Sequence, residues 1–115
     1  MDDMEILKVI SELPGVESSV LGDADGGLID ALDEPDGEAT AAVAGFTTHK
    51  LSEAGEILGL GALESVNVQS SRAGSAVIHT GRCLLTLRLA SKSPAPGLEE
   101  RVRGIIEGSS ESTDA

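Results

Sequence analysis

Residues 38–69 read EATAAVAGFTTHKLSEAGEILGLGALESVNVQ. The first two-thirds of this stretch predicts a helix from about Glu38 to Leu58. At 100° per residue, Ala39, Val43, Phe46, Leu51, Ala54, Ile57 and Leu58 span about 140° of its surface. Ala44 and Ala42 widen the arc on either side. This is more apolar surface than one sheet face requires, and Lys50 sits inside it, which favours a half-exposed interface over a dry core. Gly45 and Gly55 lie outside the arc, each lowering intrinsic helicity by about 1 kcal/mol. They either allow another helix to approach closely or are simply tolerated. Gly59-Leu60-Gly61 stops the helix. Leu63-Glu64-Ser65-Val66-Asn67-Val68-Gln69 then predicts a strand. At a sheet edge it would leave one row of backbone N–H and C=O groups free, without the Pro or Lys that commonly guards such a row. The alternative is a short wet edge shielded by Glu64.

Working outward, Ile6, Leu7, Ile10 and Leu13 place a helix over residues 4–13, ended by Pro14-Gly15. Val16 to Gly22 predicts a strand with Val16, Ser18 and Val20 on one side. Asp23-Ala24-Asp25-Gly26-Gly27 is a turn, because Asp and Gly tolerate positive φ, and Leu28 to Leu32 returns from it. The acids and Pro35 of residues 33–37 suit a helix N-terminus. Downstream, Ser75 to Thr80 and Arg82 to Leu89 form two more strands, the second with Cys83, Leu85, Leu87 and Leu89 on one face. A last helix follows Pro94 and Pro96, with a narrow stripe of Leu98, Val102, Ile105 and Ile106 and a cap at Gly108. Residues 109–115 are expected to be a disordered tail. The order αββαβββα predicts an α+β domain over residues 1–108, a mostly antiparallel sheet with helices closing its faces.

The 115 residues include 20 acidic and 8 basic side chains, a formal charge of −12. That balance argues against nucleic acid and anionic membrane as partners, since both need a Lys/Arg surface. No run of about 18 apolar residues is present, and the acidic N-terminus lacks a signal peptide's basic start. The single cysteine forms no internal disulfide, which fits a cytoplasmic location. With Phe46 as the only aromatic residue, the core is built from small aliphatics, so association would help a marginal domain. Seven acids and no base lie between Asp23 and Glu38. This run is a solvated loop, a face that selects a basic patch on a partner, or a mark of salt adaptation.

Candidate chemistry fails on specific counts. Asp23 and Asp25 resemble the start of a calcium loop with Glu34 at its twelfth place, but Leu28 stands where the sharp turn needs Gly. Gly59-Leu60-Gly61 follows a helix and lacks the third glycine of a dinucleotide loop. His49 and His79 have no partner at ligand spacing. Cys83 alternates with leucines as a small buried hydrophobe. The clustered carboxylates have no apolar pocket to split their pKa values. No catalytic residue, cofactor or metal is expected, and the chain is not expected to be an enzyme.

The sequence resembles the Roadblock family, the dynein light-chain type that includes bacterial regulators of Ras-like GTPases. The matching stretches are Leu13-Pro14-Gly15-Val16-Glu17, Asp23 through Ile29, the Ala-rich helix ending Leu58-Gly59-Leu60-Gly61, Leu63 through Val68, and Pro96-Gly97-Leu98-Glu99-Glu100-Arg101-Val102. Together they span about residues 5–108. The resemblance implies a profilin-like, five-stranded antiparallel sheet with helix 38–58 on one face and both terminal helices on the other. It also implies dimers joined by that helix and strand 63–69, the two elements singled out above. The interface candidates are Ala39, Val43, Phe46, Lys50, Ala54 and Ile57 on the helix, and Leu63, Ser65, Val66, Asn67 and Val68 on the strand. The implied partners are a second copy and a Ras-like small GTPase. The alternative is a passive subunit of a motor or signalling complex. Arg72 and Arg82 lie at turns where an arginine finger could sit, although a surface arginine at a hairpin turn is commoner.

Overall fold

The computed structural model describes residues 2–81 and 83–114. The elements run α1 (Asp3–Ser11), β1 (Val16–Asp23), β2 (Leu28–Leu32), α2 (Gly37–Ile57), β3 (Ser65–Gln69), β4 (Gly74–Thr80), β5 (Cys83–Leu89) and α3 (Leu98–Asp114). Each start has a local cause. The Asp2 carboxylate caps α1 by accepting from the Glu5 N–H at 2.9 Å, satisfying one of the donors a helix leaves unpaired. The Asp23 carboxylate accepts from the N–H groups of Asp25 and Gly27, both at 2.9 Å, and so folds the β1–β2 turn.

The five strands form one antiparallel sheet in the order β2-β1-β5-β4-β3. α1 and α3 share one face and α2 takes the other. The expected α+β architecture, αββαβββα with one helix against two across a five-stranded sheet, is therefore the observed one. The main core lies on the two-helix side, where Leu7, Ile10, Ile78, Leu85, Leu87, Leu89 and Val102 are fully buried. Cys83, Leu85, Leu87 and Leu89 do share that face, as alternation requires. Val16 does not share a side with Ser18 and Val20. A register shift between Val16 and Ser18 turns it into the two-helix core, because a bulge moves a side chain to the other face.

The α2 side is built from small residues. Ala41, Ala44, Gly45 and Thr48 face inward, over a small cluster of Ala44, Val77 and Leu84 with Val66 packed against it. The helix lies too close to the sheet for anything larger. A Cβ on Gly22 would stand 3.2 Å from the Ala41 Cβ, and one on Gly45 would stand 2.7 Å from the Gly26 Cα. Gly45 thus admits the β1–β2 turn, not a second helix.

Two boundaries depart most from expectation. β3 begins at Ser65, because Gly61 turns the chain at φ 87° and the ladder starts only with Ser65 opposite Ile78. Leu63 is consequently a half-buried loop residue. α3 continues to Asp114, since Gly108 keeps helical backbone and does not cap. Positions 109–114 of the expected tail are therefore helical, and residue 115 lies outside the described residues. Arg82 also lies outside them.

Candidate functional site

Because the small residues of α2 take the sheet, its large apolar side chains point away. Ala39, Val43, Phe46, Lys50, Ala54 and Ile57 are all exposed, at helical spacings that make one continuous stripe. Phe46 is 67% and Ile57 is 86% exposed. Burying a side chain of this kind is worth about 1.5–3 kcal/mol, so the stripe is a reserve of unclaimed apolar area. Lys50 lies along it with Nζ 5.8 Å from the Phe46 ring centroid. Its ion pair with Glu53 is loose, at 3.9 Å. None of these six helix positions is absorbed by the core, whereas Ala44, which widens the arc, is.

β3 ends the sheet beside this helix. Ser65 and Val66 are half-buried, while Asn67, Val68 and Gln69 are exposed. One row of its main-chain groups pairs with β4, and the other faces outward. Between β3 and the last turns of α2 lies an open groove of about 790 Å³, bordered by Leu51, Ala54, Leu58, Leu60, Leu63 and Val66. The strand's first residues are held from behind by α3. Arg103 donates from Nη2 to the Glu64 carbonyl at 2.8 Å and from Nη1 to the His79 carbonyl at 3.0 Å. Its Nε bonds Glu99 at 3.1 Å. The Ser65 hydroxyl also bonds Glu99; that bond and then the Arg103 guanidinium hold the Glu99 carboxyl below its usual range, against the opposing effect of partial burial. The start of the β3 edge is thereby tied to α3.

The remaining candidates sit on separate elements. His49 sits on the exposed side of α2 with Nε2 3.1 Å from Glu53. His79 is half-buried in β4, and Cys83 is half-buried against the main core. Arg72 is exposed at the β3–β4 turn. Among the described residues no group of three or more His, Cys, Asp and Glu could hold a metal ion, and no helix is long and apolar enough to cross a membrane. One pair escaped the sequence reading. Arg88 donates from Nη2 to Glu34 Oε1 at 2.6 Å, with the Glu34 side chain 5% exposed. The two are 54 positions apart, and only strand order brings them together.

No protein-family model matches the chain, and neither does any curated protein. Solved structures do. A Roadblock/LC7 domain from Streptomyces avermitilis superposes with a TM-score of 0.85 at 18% identity, over 100% of both chains. The chain has the Roadblock/LC7 fold. Myxococcus xanthus MglB is similar at a TM-score of 0.80 and 14% identity, over 97% of this chain and 99% of that one. An MglB with a tetrameric arrangement follows at 0.73 and 17%, covering 91% and 88%. In this chain the groove lined by Leu51, Ala54, Leu58, Leu63 and Val66 lies between the last turns of α2 and β3.

Proposed function

We propose that this chain is a non-catalytic homodimeric adaptor that binds, and regulates, a Ras-like small GTPase. The observation that carries the dimer is the unguarded edge of β3 lying next to an outward apolar helix. Two copies related by a two-fold axis would pair β3 with β3 and set the Val43–Phe46 stretches of α2 against each other. Such an interface is self-complementary by construction, and it satisfies the free main-chain groups while burying the stripe. The tetrameric arrangement of a similar MglB supports self-association as a use of this fold. The GTPase comes from the family resemblance, and the adaptor role from the same source.

The test has two arms. Light scattering measures the mass of the chain alone, and twice the chain mass is expected. The Ras-like GTPase whose gene lies nearest is then titrated in its GDP and GTP-analogue states, and tighter binding to one state is expected. No binding to either state overturns the GTPase assignment and leaves the dimer standing. Stable binding with unchanged GTP hydrolysis favours the passive scaffold.

A further inference from the structure

α2 lies over β1, β2 and β5, and its last turn meets the loop that leads into β3, with Gly55 facing the Gly61 carbonyl. The opposite end of β3 is left uncovered on the same side. There a hollow of about 260 Å³ is floored by Ser18, Ser75, Thr86 and Val68 and walled by the Glu34–Arg88 pair. Val66 borders the groove under the chain's own α2–β3 loop, and Val68 borders the hollow. They are two positions apart on one strand, so both face the α2 side.

A two-fold axis normal to the sheet carries the α2 side of one copy onto the α2 side of the other. Each α2-facing residue of β3 must then oppose an α2-facing residue. With the axis at the middle of the strand, Asn67 opposes Asn67 of the second copy and Val66 opposes Val68. The loop at the start of one β3 is thereby delivered to the hollow at the end of the other. We propose that residues 58–63 of one copy seat in this hollow of the second copy, so that each copy completes the other's ion-pair pocket. This rests on the strand pairing proposed above and goes beyond it to the contact that closes the dimer.

Two further observations support the seat. α2 ends with the Gly59 N–H on the Glu56 carbonyl at 3.1 Å and the Leu60 N–H on the Gly55 carbonyl at 2.9 Å, with Gly59 at φ 70°. This is the Schellman pattern, in which the residue at the Leu60 position commonly packs back onto the last turn of its own helix. Here the receiving position is Gly55, which offers no side chain, and Leu60 is left 74% exposed. The hollow also suits an uncharged guest. Residues 58–63 carry no charge, and the charges of Glu34 and Arg88 already answer each other, so a covering loop strands neither.

The test uses the full chain with Cys83→Ala, to remove the native thiol, and with Leu60→Cys plus Ser70→Cys. Ser70 is exposed on the rim of the hollow. Within one chain the two positions lie at opposite ends of β3, beyond the reach of a short bis-maleimide. Light scattering is recorded on the unmodified chain and on the variant before the reagent is added. The expected result is a dimeric mass in solution and, on a denaturing gel, a band of twice the chain mass that neither single-cysteine control produces. A dimeric mass without that band overturns the seat while leaving the strand pairing intact. A band from Leu60→Cys alone also overturns it, because the two loops would then meet each other. A single-chain mass for the unmodified chain overturns both the pairing and the seat.

Discussion

β2 and β3 are each five residues long, and each closes one side of the sheet. β2 reads Leu28-Ile29-Asp30-Ala31-Leu32, with Leu28 and Ile29 exposed. By side-chain hydrophobicity it is the stickier edge. Its main chain is nonetheless guarded. Asp30 Oδ1 accepts the N–H of the adjacent Ala31 at 2.9 Å, the register shifts between Leu21 and Gly22, and Asp33 turns the chain away at φ 61°. β3 reads Ser65-Val66-Asn67-Val68-Gln69, without a charge, and pairs with β4 without a register shift. Charges and bulges are devices that keep edges from pairing. The contrast teaches that the two edges differ in the condition of the main chain more than in exposed aliphatic side chains, and the proposed pairing uses the unguarded one.

The comparison breaks most visibly if β3 is given a guard. Val68→Lys is expected to shift the light-scattering mass from two chains to one, and a retained dimeric mass would show that β3 is not the seam. Phe46→Asp probes the helix half of the same surface and is expected to give the same loss. If that variant stays dimeric, the outward stripe of α2 plays no part.

A smaller effect is expected from loosening the strand's anchorage. Arg103→Met removes the bonds to the Glu64 and His79 carbonyls, and a bond to a charged donor is worth about 1.5–3 kcal/mol. Thermal unfolding should come several degrees earlier, and hydrogen exchange should quicken at Ser65 and Val66 more than in β5. Equal change in both strands would contradict a local anchoring role. Glu99 adds a pH dependence of defined sign. Its folded-state pKa is lowered, so its contribution is present above the unfolded carboxylate range. That contribution fades as pH falls through the folded value. Glu99→Gln is expected to flatten the acid side of the stability profile; an unchanged acid limb would remove Glu99 from the anchorage.

Asn67→Asp sharpens the register. It places two carboxylates opposite each other at the axis, at a cost of roughly 0.2–1 kcal/mol, and so weakens self-association a few-fold at neutral pH and not in acid. An effect that persists in acid would place the axis elsewhere. The smallest effect is expected on the other edge, where Ile29→Lys should leave the mass unchanged.

The layout was legible because periodicity carried it. The alternation of Cys83, Leu85, Leu87 and Leu89 and the spacing of Leu98 and Val102 each report a buried face directly. The apolar arc of α2 was legible as surplus, but its direction was not. Periodicity counts hydrophobic residues, whereas the sheet selected Ala41, Ala44 and Gly45 for closeness, which hydropathy does not measure. Val16 was misplaced because a bulge leaves no mark in a two-residue pattern. The contacts of Arg88 with Glu34 and of Arg103 with the Glu64 carbonyl join positions far apart in the chain, and only strand order supplies them.

The measurement that bears most directly on the central claim is the mass of the unmodified chain across a concentration series, by light scattering or sedimentation equilibrium. An open β3 edge beside an outward apolar helix predicts twice the chain mass, falling to one on dilution. A single-chain mass at the highest concentration reached would contradict it.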